Sequence, residues 1–480
     1  MSPTPEQYRD MLYAKLEQQA REHATYNVYY TGQHPLPDSP PGARSEYLRL
    51  MRIARSNWME LIVDAVAERL IVDGVRFGNQ LAADVDIWGT LWQSNSLDAE
   101  HGAVHTEALI GGTASVLVWP NPEDPTGVPS ITTEHPTEVY VDLEPGDRRK
   151  RRGALKVYTD DDEQYATLWT AADGATPAMV YKWERPANGS QWLPHTDDGD
   201  PAWYFENVLG AVPVVPFLNK RRMIGPGISE LAGGITDIQD RINETIFGRL
   251  TAGRFSAFRQ RWVTGMDIPV DPDTSRPIEP FRAAVDRLWM AEDPGVKFGE
   301  FGTTDLRPYL DAVEGDIQHL AAISRTPPHY LLGQSGAFPS GESLKATETG
   351  LVAKVRARQL TFGESWEDVI RLGLTARQDA RAADQSLEVI WRDPESKGLG
   401  ELVDALVKLG TLGVPNEALW ERYGASQQEI ARWRGQAARA TLASAAARPP
   451  APPAPPPPAP VPAQDASTPN GAQELATAAP

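Results

Sequence analysis

The chain has 480 residues, no cysteine, and a formal net charge of −19 at pH 7 with an isoelectric point near 4.9. Disulfides and thiolate metal sites are excluded, and the basic surplus of a protein that grips nucleic acid statically is missing; an acidic surface serves solubility, and equally suits DNA that slides past without sticking. With 41% hydrophobic and 23% charged residues, the chain supports two or three domains with real cores.

Residues 5–75 read as helical. The stretch 7–23 is charged and amphipathic, Pro35, Pro37, Pro40 and Pro41 form a break, and 56–70 is a second helix turning Ile62, Val63 and Val66 inward. Further helices are predicted over 85–94 and 98–111. From Ala114 the period shifts to strands at 115–119, 138–141, 154–158, 165–169 and 178–183, separated by turns rich in Pro, Gly and Asp, as in an antiparallel meander. Helices first and a meander after predict an α+β fold.

Two amphipathic helices then bracket an insert. The first is predicted over 228–250, with Ile228, Leu231, Ile235, Ile238, Ile242, Ile246 and Leu250 on one stripe and Asp237, Asp240, Arg241, Glu244 and Arg249 opposite. The second is predicted over 305–324, with Leu306, Leu310, Val313, Ile317, Leu320 and Ile323 on its stripe, Thr304 as cap, and Thr326-Pro327-Pro328 as stop. Such a pair forms a stalk with a head at its tip. The insert is short-stranded and loopy, at 261–264, 287–290 and 296–298. A Gly/Ser loop follows the second helix, then one proline-free helix over 343–377, about 50 Å long at 1.5 Å per residue. Leu344, Leu351, Val355, Phe362, Trp366 and Val369 form its stripe. A strand at 387–391 is expected to return to the meander, and helices are predicted at 401–412, 416–423 and 427–438. From Arg448 the chain is Pro/Ala-rich and lacks the apolar content to offset ordering, so disorder is expected.

Several segments, in this order and spacing, resemble the portal proteins of tailed double-stranded DNA bacteriophages. They are Val212-Pro213-Val214-Val215-Pro216-Phe217-Leu218-Asn219, then Gly225-Pro226-Gly227-Ile228-Ser229-Glu230-Leu231, Asp240-Arg241-Ile242-Asn243-Glu244-Thr245, Arg325-Thr326-Pro327-Pro328-His329-Tyr330-Leu331-Leu332-Gly333, and Ser340-Gly341-Glu342-Ser343-Leu344-Lys345-Ala346. The resemblance covers about residues 5–440. It implies a multidomain fold: an α/β wing (1–218), a first stem helix with its lead-in (219–250), a small α/β clip (251–303), a second stem helix (304–325), a tunnel-loop region (326–342), a long wing helix and returning strand (343–392), a helical crown (393–442) and the disordered tail (443–480).

The same resemblance implies a ring of roughly twelve copies at one capsid vertex, through which double-stranded DNA is packaged and ejected without sequence readout. The terminase large subunit and head–tail adaptor would dock at the clip, near Trp262 and Trp289, with major capsid and scaffolding proteins as further partners. The tunnel loop would be Gln334, Ser335, Gly336, Ala337, Phe338, Pro339 and Ser340, small residues with one bulky contact. Lys345, Lys354, Arg356 and Arg358 are a candidate DNA-facing belt, the alternative being surface pairing with Glu342, Glu348 and their neighbours. The stem residues Ile235, Ile238, Ile242, Ile246, Leu310, Val313 and Ile317 would pack subunit against subunit. Another ring-forming virion component, or a DNA-packaging enzyme, is the alternative.

Other motifs carry less. No Walker loop is present, and Gly225, Gly227 and Gly233 lack dinucleotide-loop spacing. His101 and His105 have zinc-compatible spacing without the glutamate base of H-E-x-x-H, so hydrogen-bonded histidines are expected. Ser335 lacks the last glycine of a nucleophile elbow. The run Arg148–Arg152 reads as a solvated hairpin loop, with phosphate contact as its rival, and Asp160–Glu163 as the next turn. PxxP spacing in 449–462 reads as spacer. No enzyme activity, cofactor or metal is expected. With no apolar run of membrane-spanning length and no signal-peptide pattern at Met1–Glu6, a cytoplasmic origin before incorporation into a virion is expected.

Overall fold

The computed structural model describes residues 3–37, 45–78, 80, 83–174, 176–187, 189–197, 202–223, 225–257, 261–265, 272, 294–300, 302, 304–332, 341–395 and 398–446. Residues 1–430 form one compact unit and 431–480 a second. The fold is α+β.

Helix α1 (Pro5–Tyr30) starts on a capping box: Thr4 Oγ1 accepts from the Gln7 backbone N–H, and the Gln7 side chain accepts from Thr4 N–H. It is followed by α2 (Ser45–Ala54), α3 (Met59–Ala67) and strand β1 (Val72–Phe77). The predicted helix at 85–94 is one short turn, Val85–Ile87, then a wide turn in which Gln93 N–H donates to Trp88 C=O, with the Trp88 and Trp92 rings stacked at 4.8 Å. Helix α4 (Leu97–Gly111) leads into β2 (Thr113–Trp119).

The meander is β4 (Val139–Glu144), β5 (Asp147–Asp160), β6 (Glu163–Thr170), β7 (Met179–Arg185) and β8 (Leu193–Pro194), in that spatial order; the three-residue strand β9 (Tyr204–Glu206) also pairs with β7. Asp161 and Asp162 join β5 to β6 with φ of 44° and 68°, as a two-residue I′ turn requires. Strand β2 stands apart from it, between β3 (Ser130–Glu134), which sequence periodicity missed, and β10 (Val214–Leu218).

The two helices expected as the stem pair are α5 (Ile235–Ala257) and α6 (Arg307–Ser324). Helix α5 starts seven residues later than expected because Gly233 and Gly234 adopt φ of 81° and 84°, which no right-handed helix accommodates. Thr304 is not the cap of α6; Asp305 Oδ1 takes the Arg307 N–H at 2.9 Å. Between them β11 (Arg261–Thr264) pairs antiparallel with β12 (Lys297–Glu300), and the expected strand at 287–290 lies outside the described residues. Helix α7 (Gly341–Ala376) runs unbroken for 36 residues. Strand β13 (Leu387–Trp391) pairs with β1, Val389 opposite Val75, and not with the meander. Helices α8 (Leu399–Thr411), α9 (Asn416–Tyr423) and α10 (Gln427–Ala446) follow. The Pro/Ala-rich tail from 447 lies outside the described residues.

One apolar core runs through α2, α3, α4, β1, β2, β10, α5, α6, α7 and β13, with Phe362, Trp366 and Val369 of α7 at full burial. This corrects the expectation for the stem. Ile235, Ile238, Ile242, Ile246 and Ile317 are buried within the chain's own core, so they are not free to pack against a neighbouring copy. The cause is a polar clamp beside the stripe. The Gln239 side chain accepts from Trp58 N–H (3.0 Å) and donates to Ser56 C=O (2.7 Å), while Asn243 Oδ1 accepts from Ser56 N–H (2.9 Å). That lays the α2–α3 junction along α5 and closes the stripe from inside.

Candidate functional site

Residues 219–223 and 225–234 lie between β10 and α5. Asn219 N–H donates to Gly112 C=O (2.9 Å), Ile228 N–H to Asn219 C=O (2.8 Å), and Glu230 N–H to Leu109 C=O (2.8 Å), which anchors the loop on the C-terminal end of α4. Gly227 lies so close that an added Cβ would sit 1.7 Å from Gly112 O. Gly227 therefore serves close backbone approach, while Gly225 has open space around it and a φ of 100°.

At the centre of this junction is Glu230. Its side chain is 1% exposed, with Oε1 accepting from Arg358 Nη2 (2.5 Å) and Asn219 Nδ2 (3.1 Å), and Oε2 facing Lys354 Nζ (2.9 Å) and Lys220 Nζ (3.3 Å). Lys354 also donates to Ser324 C=O at the end of α6 (2.9 Å), and Arg358 Nε to Asn219 Oδ1 (2.9 Å). Burial alone would raise the Glu230 pKa, but Lys354, Arg358 and Lys220 outweigh it and hold the carboxyl at about 2. One carboxylate thus ties α7, the end of α6 and the stem lead-in together.

For Lys354 and Arg358 the candidate DNA-facing belt is corrected by this geometry. Lys354 and Arg358 point into the junction and are held by Glu230. Lys345 pairs with Glu401, and Arg356 lies 3.6 Å from Asp393 and 3.4 Å from Glu395. All four cations are engaged with carboxylates of their own chain, as long basic side chains on an acidic protein tend to be.

The basic run Arg148–Arg152 forms part of β5 rather than a loop. Arg149 pairs with Asp147 (3.0 Å), Arg151 with Asp368 (3.6 Å) and Arg152 with Asp142 (2.5 Å). His101 and His105 do not converge on a metal: His105 Nδ1 faces Leu70 C=O (3.1 Å) and its Nε2 accepts from Trp366 Nε1 (2.9 Å), leaving no lone pair free, and burial pushes the ring's pKa down to about 3.

Of the tunnel loop, Gln334, Ser335, Gly336, Ala337, Phe338, Pro339 and Ser340 lie outside the described residues, as does Trp289. Trp262 sits on β11 with its ring over Gly299 of β12, 38% exposed. On α6, Ile323 is 55% exposed, Leu310 48% exposed and Val313 half-buried, whereas Ile317 and Leu320 of the same stripe are buried. The Glu230 junction and the Gln239/Asn243 clamp were not foreseen as sites. The signal for the clamp was Gln239 and Asn243 beside the apolar stripe of α5, which periodicity discards, while Glu230 lies in the segment before that helix.

A model of the family described as phage portal protein, SPP1 Gp6-like, matches residues 10–441. The portal protein of Mycobacterium phage D29 is 29% identical over 407 residues, covering 80% of each chain; that of Mycobacterium phage L5 is 27% identical over 455 residues, covering 90% of this chain and 89% of the relative. Among solved structures, a chain of the virion of the native gene transfer agent particle matches with 13% identity and a TM-score of 0.44, covering 84% of this chain and 99% of that one. A chain from the neck of the native gene transfer agent particle gives 12% identity and a TM-score of 0.43 over the same shares. The chain belongs to the phage portal protein family of the SPP1 Gp6-like type.

Proposed function

We propose that copies of this chain close into a ring at one vertex of a phage capsid, around an axial hole through which double-stranded DNA is packaged and later ejected. The observation that carries this reading is the extent of the family match, residues 10–441, which takes in the wing sheet, both stem helices, the β11–β12 head and the first crown helices. The chain acts as a structural part of the virion rather than as an enzyme, and is made in the host cytoplasm.

A heterologous contact that closes on itself gives a ring, and the number of copies, roughly twelve, comes from the portal family. Leu310, Ile323 and the half-buried Val313 on α6 are apolar surface available to a neighbouring copy. Trp262 on the paired strands β11 and β12 is the exposed aromatic offered first to the terminase large subunit and later to the head–tail adaptor, in keeping with the weight of aromatic anchors at interfaces. The loop 334–340 is the segment that meets passing DNA, which slides without base readout past a chain of net charge −19. Major capsid and scaffolding proteins meet the wing.

Negative-stain imaging of the purified chain tests the ring. Turbine-shaped rings with an axial hole support it; compact monomers at high concentration overturn it.

A further inference from the structure

We propose that His23, Glu107 and His135 form a divalent-metal site in the wing, one that takes Zn²⁺ or a chemically similar ion and ties three separate elements together. His23 comes from α1, Glu107 from α4, and His135 from the turn directly after β3. Both imidazole Nε2 atoms converge on the same carboxylate oxygen: His23 Nε2 lies 2.7 Å from Glu107 Oε2, and His135 Nε2 lies 3.5 Å from it. The three ligand atoms all fall within 4.8 Å of one another. In a tetrahedral zinc site with bonds near 2.0–2.1 Å, ligand atoms stand about 3.3 Å apart. The two spacings to Glu107 Oε2, 2.7 and 3.5 Å, lie on either side of that value.

The surroundings hold this geometry in place. An added Cβ at Gly111 would sit 2.4 Å from His23 Cδ2, so glycine there lets the His23 ring lie against α4. One turn earlier on α1, Gln19 Nε2 donates to Pro136 C=O (2.6 Å) and Val139 C=O (2.9 Å), pinning the His135 turn to α1 independently of the ligands. Thr137 Oγ1 lies 2.7 Å from His135 Nδ1, where it can accept the Nδ1 proton once Nε2 gives its lone pair to a metal; that tautomer replaces the one in which Nδ1 accepts from the Thr137 N–H at 3.3 Å. The His23 and His135 rings cross at 77° with centroids 4.8 Å apart, so their nitrogen lone pairs approach one point from different directions.

Two imidazoles and a carboxylate favour Zn²⁺ and its transition-metal neighbours over Mg²⁺ or Ca²⁺, which want more oxygen donors. His23 is buried and His135 is 43% exposed, so the open side of the site, and its fourth coordination position, faces solvent. The ion would act as a cross-link among α1, α4 and the β3–β4 turn, segments that the sequence separates by 84 and 28 residues, taking 107 − 23 and 135 − 107 from the numbering.

The full-length chain, stripped with chelator, is titrated with Co²⁺ as a visible probe and then with Zn²⁺. The expected result is saturable uptake of one equivalent per chain, the absorption of four-coordinate cobalt, its displacement by zinc, and a rise in melting temperature. His135→Asn, at a half-exposed position the fold tolerates, should lower affinity at least tenfold and abolish the thermal shift. Glu107→Gln should do the same, Thr137→Val should weaken binding about tenfold, and His195→Asn should change nothing. Absence of saturable binding by the wild type, or binding unchanged in both His135→Asn and Glu107→Gln, would mean that the cluster is only a hydrogen-bonded His–Glu–His group and would overturn the proposal.

Discussion

Arg358 of α7 donates to Glu230 across 2.5 Å, although Glu230 belongs to the stem lead-in 128 residues earlier and its side chain is 1% exposed. A buried carboxylate with three cationic neighbours is expensive to disturb, because removing it strands Lys354, itself 4% exposed, without a counter-charge. Glu230→Gln should therefore destabilise the chain by about 3–5 kcal/mol. Lys220→Ala, removing a partner that is 31% exposed, should cost at most about 1 kcal/mol. Chemical denaturation of both variants is the check, and equal losses would show that the junction is not organised around the carboxylate.

The pH dependence of stability separates two buried glutamates of opposite sign. Glu230 has a folded-state pKa of about 2 against 4.5 unfolded, so its contribution is complete above pH 4.5 and is lost as pH falls from there toward 2. Glu367 is pushed the other way. Burial first, then Glu364, raise it to about 7 despite Arg371. Its contribution is complete below pH 4.5 and is lost as pH rises through 7, where the folded chain must ionise a buried acid. Thermal melts should show that Glu367→Gln gains on the wild type progressively from about pH 5 to about pH 8. A constant offset across that range would remove Glu367 from the account.

Glycine at 227 is required by contact, whereas glycine at 102 is not. A Cβ on Gly227 would lie 1.7 Å from Gly112 O, and the backbone there is tied by three hydrogen bonds to α4 and Asn219. Gly227→Ala should cost more than about 3 kcal/mol through forced backbone displacement. Gly102 lies inside α4 with nothing within 4 Å of its added Cβ, so Gly102→Ala should stabilise by about 0.5–1 kcal/mol. Differential scanning calorimetry of the pair should give shifts of opposite sign.

What was legible in the chain was periodic. The stripe of α7 is buried from Leu351 to Val369, where its helical spacing places it, and the acidic turn at Asp161–Asp162 falls between β5 and β6. A period says that a face is covered but not by what, so Ile238 read as an intersubunit contact while its partners lay in the same chain. Lys354 and Arg358 read as surface charge because their counter-ion sits far upstream, and pairing at that distance leaves no local pattern. His23, Glu107 and His135 leave no motif either, since each ligand comes from a different element. The loop around Phe338, expected from family resemblance, lies outside the described residues. Trimming 334–340 should leave rings intact on a grid yet lower DNA retention in particles; a normal yield of full particles would refute its role.

The corrected stem separates folding from assembly, and two substitutions tell them apart. Ile242 is fully buried within its own chain, so Ile242→Ala should destabilise each subunit by about 2–4 kcal/mol through lost burial and the cavity left behind. Leu310 is 48% exposed, so Leu310→Glu should leave subunit stability within about 0.5 kcal/mol of wild type. In a ring the new carboxylate would be trapped against a neighbour without a partner, and assembly should shift toward smaller species. Light scattering reads the assembly and urea denaturation the fold. Loss of stability in Leu310→Glu with rings intact would place Leu310 in the subunit's own fold and move the intersubunit contact elsewhere on the stem.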